Sequence, residues 1–465
     1  MKADKVCLTM AFLIGTGLAS AGEFHWKGGS GDLLEPSNWE EEVAPTSVLG
    51  GGDKLVFRSA TPDAEIVTPS GAFYAQQILI EKDSEPLHFK GGQLGLTVGF
   101  FADSRVTVDN NLNFYYENAK LVPGQSCDAG GTFVFNGRID FYKKLFVGGM
   151  SSCEINGVVV GSGAAELSSP LYTMTGGKVT FGGKVSIKKI GCEWVGMASK
   201  EPIFAFAAPG NVWETCLLAY MGIDLDCVNA LDPSVVLTWK DDYDGVEAKT
   251  TYRMNGYDQV ADRIVSARTG DFTTGYISTT NACTLTLKGS ADAETDCCLR
   301  GDLSIVWDSA EGHTQTFMNR AHQTTGSLAA SNGVLRLAAG AAFASARGLA
   351  AGVNGEIDVA TDVPGALAGL QRIDVANGGR VVISSVAKGA FPTKASQLSL
   401  AVAGDAALDL PANFALRVKD MAVDGTVLWP GVYGGPESAA EHKLPQLSGT
   451  GVVDVRGGGL MILFK

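Results

Sequence analysis

The residues of this 465-residue chain best suited to chemistry are two carboxylate clusters and one pair of tryptophans. Asp224, Asp226 and Asp232 lie in GIDLDCVNALDPS, and Asp241, Asp242 and Asp244 lie in WKDDYDGVEAK. Alternate carboxylates on a strand or turn can share one hard cation such as Ca²⁺. Neither cluster has the spaced loop with a closing Glu. Asp also favours turns, because its side chain hydrogen-bonds nearby backbone. The competing expectation is therefore a set of solvated turns with no bound ion. Trp26 and Trp39 share the stretch FHWKGGSGDLLEPSNW (24–39). Exposed, they would make a flat platform for a sugar ring. Buried, they would plug the open end of a β-fold. Large aromatics gain most by burial, so the plug comes first and the ligand contact second.

Catalytic motifs are missing. The chain has no G-x-S-x-G, no phosphate loop and no H-E-x-x-H. Its five histidines, His25, His88, His313, His322 and His442, are scattered. His313 and His322 are the one candidate metal pair, and polar surface is the simpler expectation for both. Hydrolysis of a glycoside needs two carboxylates facing one sugar. Acidic residues are plentiful, but positions such as Asp358, Asp409 and Asp454 fall where an outward side chain is expected.

The bulk numbers narrow the function classes. The formal charge is −14, with 50 acidic residues against 36 Lys and Arg. Binding to phosphate backbones needs clustered cations, so nucleic acid is not an expected partner. Residues 1–21 read MKADKVCLTMAFLIGTGLASA: a positive start, an apolar core Val6–Leu18 and a small-residue cleavage site. This is the pattern of a secretory signal peptide. Its apolar core is too short for a membrane span, and no later stretch approaches the ~18 apolar residues that one needs. The mature chain is expected to be exported, secreted or at the cell surface, with no membrane span. It keeps eight cysteines, Cys127, Cys153, Cys192, Cys216, Cys227, Cys283, Cys297 and Cys298. An even count in an oxidising compartment points to disulfides, with buried free thiols as the competing expectation.

The elements that must position these groups are strands. Short runs alternate apolar and polar residues between Gly, Asn or Asp: LGLTV (94–98), RVTV (105–108), GTFVF (131–135), GRIDF (137–141), GKVTF (177–181) and GKVSI (183–187). Alternation buries one set of side chains and turns the other outward. Only 341–351 has a helix-like composition. Toward the C-terminus, NGVLRL (332–337), NGEIDV (354–359), GGRVVI (378–383), GDAALDL (404–410) and GTGVVDV (449–455) share one plan of Gly-containing turn and short strand. The first four start about 22 to 26 residues apart, the period of a solenoid whose coils cover each other's open faces. The stretch 428–449 reads as an insertion or a capping turn. Between His322 and Leu428 there is no Trp, Tyr or Cys, and a narrow Val, Leu, Ile and Ala core is expected there.

The stretches 256–289 and 299–341 resemble the strand repeats of autotransporter passenger domains. Thr284–Leu287, Gly301–Val306, Thr314–Phe317 and Asn332–Leu337 follow the repeat order of that family. Trp26, Gly28, Asn38, Trp39, Pro45, Asp53 and Phe57 are similar to the opening of exported bacterial proteins that carry such repeats. The resemblance implies a right-handed parallel β-helix outside a Gram-negative-type cell. The chain departs from the family in lacking the alternating strands of a C-terminal membrane barrel. Release, or attachment through a partner, is therefore the expectation.

The resulting expectation is an all-β protein, a parallel β-helix or β-solenoid. A signal peptide (1–21) precedes an N-terminal solenoid with a Trp-containing cap (22–190). An irregular, Cys-containing β-rich region (191–320) and C-terminal repeats (321–465) follow. The expected role is non-enzymatic: adhesion, scaffolding or binding of polysaccharide or extracellular matrix. The alternative is a β-helical polysaccharide lyase or glycoside hydrolase. No cofactor is expected unless the Asp clusters hold Ca²⁺.

Overall fold

The computed structural model describes residues 22–49, 51–124, 133–149, 151–163, 165–169, 178–192, 203–217, 222–238, 250–266, 275–318, 321–386, 389–394 and 397–457. The chain winds into a parallel β-solenoid of about 13 turns, 51% strand and 1% helix. One face is a thirteen-stranded sheet from Gly31–Asp32 to Gln323–Thr324, with each strand hydrogen-bonded to the one in the next coil. Two further faces share long strands at two levels of the stack. Ala72–Ile80 and Gln93–Ala102 run across both faces near the start. Ser327–Leu337 and Gly348–Val359 do so near the end. Between these levels the faces part. From Gln93–Ala102, the segment Leu94–Leu96 pairs with Leu112–Phe114, and Gly99–Ala102 with Lys120–Pro123.

The alternating pattern explains the packing. In Ile139–Phe141 and Lys178–Phe181 the apolar residues are buried and the polar ones are not. Coils one strand spacing apart (~4.8 Å) bring like side chains into rows. Between the sheets, Phe57, Phe89, Phe100 and Phe135 meet across the core from alternate faces, edge to face, with ring centroids 5.0, 5.8 and 5.7 Å apart. Further along, aliphatic rows such as Leu335, Ile357, Val381 and Leu408 take over.

The repeats found in the sequence stack in register. Asn332 lies opposite Asn354, Gly333 opposite Gly355 and Leu337 opposite Val359. Asn side chains at such turns form ladders. Asn156 donates to Asn136 (3.0 Å), and Asn136 donates to Asp109 (2.7 Å). Asn354 donates to Asn332 (3.0 Å), which in turn donates to Asp308. Each ladder ends on a carboxylate that meets a basic residue, His88 at Asp109 (2.6 Å) and Lys288 at Asp308 (2.8 Å). The glycine after the Asn leaves room for close coils: a Cβ on Gly157 would lie 1.9 Å from the Gly137 carbonyl oxygen.

Three expectations are corrected. The fifth repeat strand does not extend the row of the other four. Leu447–Ser448 takes that place opposite Leu408 and Asp409, whereas Val452–Val455 pairs with Ala415–Val418. The stretch 341–351 is not helical. It forms turns bridged to Ala321 and then enters Gly348–Val359, because small residues there serve close coil packing. Among the described residues of 191–320, buried side-chain amides tie neighbouring backbone segments together. Asn211 accepts from the Val185 N–H and donates to the Ala208 and Ala230 carbonyls. Gln315 accepts from the Ile264 N–H and donates to the Ile264 carbonyl. Finally, Cys153, Cys227, Cys283, Cys297 and Cys298 are free thiols, not disulfides. Stacking sets each against other residue types: Cys153 lies between Phe133 and Val179, Cys283 opposite Leu303 and Cys298 opposite Tyr276. The side chains of Cys127, Cys192 and Cys216 lie outside the described residues, as does the signal-like segment.

Candidate functional site

Trp26 and Trp39 sit at the first coil, joined by an antiparallel bridge. They are 3% and 0% exposed, with ring centroids 5.1 Å apart at 85°. Both pack on Phe57. Each indole N–H is satisfied locally, Trp26 by the Gly29 carbonyl (3.0 Å) and Trp39 by the Leu33 carbonyl (2.9 Å). Neither ring presents a face to solvent. Asp53 ties the same coil together: its carboxylate accepts from the Gly22 N–H and from the Thr46 N–H and hydroxyl, all at 2.7 Å.

Asp224 and Asp226 come together on the outside of the thirteen-stranded sheet, but with cations of the protein itself. Lys178 Nζ lies 3.2 Å from Asp224 and 2.9 Å from Asp226. Arg253 also bonds Asp224, and Asn255 donates to Asp226 (2.7 Å). Burial works against the charge on Lys178, yet Asp226 and Asp224 outweigh it and hold its pKa above the ordinary lysine value. Asp232 turns to its own neighbour, accepting from the Ser234 N–H (3.0 Å) and hydroxyl (2.7 Å). Asp241, Asp242 and Asp244 lie outside the described residues. Among the described residues no three His, Cys, Asp or Glu side chains gather as a metal site.

The two histidines of the candidate pair have separate surroundings. His313 faces Glu311 (3.2 Å) and Asp292 (3.5 Å). His322 is buried, its ring 3.9 Å from Phe343 and nearly parallel to it. The outward aspartates are ion-paired across or along coils: Asp358 with Arg336 (3.2 Å), Asp409 with Arg380 (3.2 Å) and Asp454 with Arg456.

The feature that sequence reading missed is a tyrosine strip on the outer side of the face that contains Leu112–Phe114 and Ile139–Phe141. Tyr74 and Tyr115 tilt toward each other, centroids 5.9 Å apart at 51°. Tyr115 and Tyr142 stack, 5.5 Å apart at 9°. Gly95 lies in register with Tyr74, and a Cβ there would meet the Tyr74 ring at 2.4 Å and the Tyr115 ring at 3.0 Å. Any side chain at 95 would push the rings apart. Gln93 donates to the Tyr115 hydroxyl (3.2 Å). Burial, then a hydrogen bond with Tyr74, keeps the Tyr115 phenol above its ordinary pKa, so the ring stays neutral. Tyr142 is 44% exposed. The register with the next coil ends just before it, at Phe141 opposite Gly161.

Below the rings, Gly95, Asn113 and Asp140 form one outward row. Asp140 holds Arg138 in a two-pronged pair, 2.7 and 2.8 Å. Asn113 is only 7% exposed although it points away from the core, between inward Leu112 and Phe114. Its side-chain amide bonds to no described residue. The available signal was a repeated tetrad, LNFY (112–115) and IDFY (139–142), one coil apart.

No known family, curated protein or solved structure matches this chain.

Proposed function

We propose that this is an exported, non-enzymatic β-solenoid that binds extracellular polymer, polysaccharide or matrix, through its outer sheet surface. The observation that carries the reading is the strip Tyr74–Tyr115–Tyr142, rigid aromatic surface held on sheet and flanked by amides and one ion pair. Aromatic rings with adjacent polar handles suit ligands that are apolar on one side and wet on the other. Tyr74 lies within Ala72–Ile80, and Tyr115 and Tyr142 directly follow Leu112–Phe114 and Ile139–Phe141, so the strip is anchored before binding and little ordering entropy is lost. The likeness to autotransporter-type repeats and the signal-like 1–21 support export.

The test is a pull-down of the chain from Gly22 onward on insoluble polysaccharides and matrix preparations, with reducing ends assayed in the supernatant. Retention without release is the expected result. New reducing ends would overturn the non-enzymatic reading in favour of a lyase or hydrolase. Passage through every polymer and matrix tested would overturn the binding reading.

A further inference from the structure

We infer that the outer surface formed by Tyr142, stacked on Tyr115, with Asn113 and Asp140 beside it is a saccharide seat, and that its ligand is a neutral glycan. The inference deepens the proposed function and rests on it.

Three observations converge. The first is Asn113. Its amide makes no hydrogen bond to a described residue and is not sealed from solvent, and it lies on the outer side of the sheet, in the row of Gly95 and Asp140. An amide offers two donors and an acceptor, the complement of a sugar hydroxyl or an acetamido group. The second is Tyr142, which stacks on Tyr115 and is 44% exposed. An aromatic face of this kind takes the C–H side of a pyranose. The third is charge. The guanidinium beside the seat, Arg138, is already held by both oxygens of Asp140. A uronate or sulfate would meet the Asp140 carboxylate beside a cation that is already satisfied. Neutral sugars face no such repulsion and can use the remaining lone pairs of Asp140 as acceptors.

The chain from Gly22 onward is tested on chitin, cellulose and immobilised polygalacturonate. Tyr142→Ala, Asn113→Ala and Tyr142→Phe are compared with wild type, and Trp429→Ala serves as a distant exposed control. Retention on at least one neutral polymer is expected, weakened about tenfold or more by Tyr142→Ala and by Asn113→Ala. Tyr142→Phe and Trp429→Ala should bind as wild type does. Tyr142 is half exposed, so its truncation leaves the fold intact, and circular dichroism checks both variants. Undiminished retention of Tyr142→Ala and Asn113→Ala would overturn the seat while leaving the general binding reading standing. Retention on polygalacturonate alone would overturn the neutral assignment. Passage through all three polymers would overturn the seat, and retention on a matrix preparation would then keep the binding reading alive.

Discussion

Single residues show how outward and inward positions divide the work. Asp109 heads an Asn ladder. The Asn136 amide and then His88 hold its carboxyl below the ordinary carboxylate value, against a smaller effect of burial. A lowered folded pKa gives stabilisation that is complete above the unfolded value of 3.8 and is lost as pH falls through the folded one. Urea midpoints below about pH 4 should therefore drop more steeply for wild type than for Asp109→Asn. Equal slopes would show that the ladder gains nothing from the charge at its head. The inward position Cys153 behaves oppositely. Complete burial pushes its thiol up to about 12, and a thiolate is the reactive form. Iodoacetamide at about pH 8 should leave Cys153 unlabelled in the native chain. In denaturant without reductant it should label Cys153, Cys227, Cys283, Cys297 and Cys298. A disulfide-linked peptide containing any of these five would contradict the structure.

At the scale of the element, the unit is the Asn-Gly turn with its following strand. Its glycine matters for space. Gly157 packs against the Gly137 carbonyl, and Gly183 repeats the arrangement, where an added Cβ would lie 2.1 Å from the Gly157 carbonyl oxygen. A methyl group at 157 would force the coils apart there, and overpacking of this kind costs about 1–3 kcal/mol. Gly157→Ala should lower stability by that amount in a denaturant titration. Gly71→Ala is the control: its Cβ would meet nothing within 4 Å, so it should change stability by no more than about 0.5 kcal/mol. Equal losses in the two variants would refute the close-packing account.

Across the whole molecule, a parallel stack has two ends, and both are closed by antiparallel pairing. Trp26 bridges Trp39 at the start. At the other end Thr426–Val427 folds back on Asp420–Val423, and Gly431–Gly434 runs against Val452–Val455. The expected capping turn at 428–449 is thus partly a strand. Reversing direction in the last coil stops a parallel edge from templating another chain. Because the strands of each coil pair only with those of the coils next to it, damage should stay local. Trp39→Ala removes a fully buried ring, a change worth about 3–5 kcal/mol in a packed core. Hydrogen exchange should speed up in the first few coils, about as far as Leu87–Lys90, and stay unchanged beyond Ser327. Uniform acceleration along the chain would show that the solenoid unfolds as one unit.

Strands, coil period and core type were legible in the sequence because they follow from spacing. Period-2 alternation names the inward residues, and a 22-to-26-residue repeat of Gly-containing turns names the coil. Trp26 and Trp39 were also legible as bulky rings better buried than exposed. What only the tertiary structure decided is which residues from different coils meet. Tyr74, Gly95, Asn113 and Tyr142 are distant in sequence and adjacent in space because coil length varies from turn to turn. Leu94 to Leu112 spans eighteen residues, Leu112 to Ile139 twenty-seven. The same variable lengths put Lys178 over Asp224 and set Cys153, Cys283 and Cys298 opposite residues that are not cysteine. Spacing along a chain records the period of an element. Register between coils depends on loops of unequal length, and it appears only when the coils are stacked.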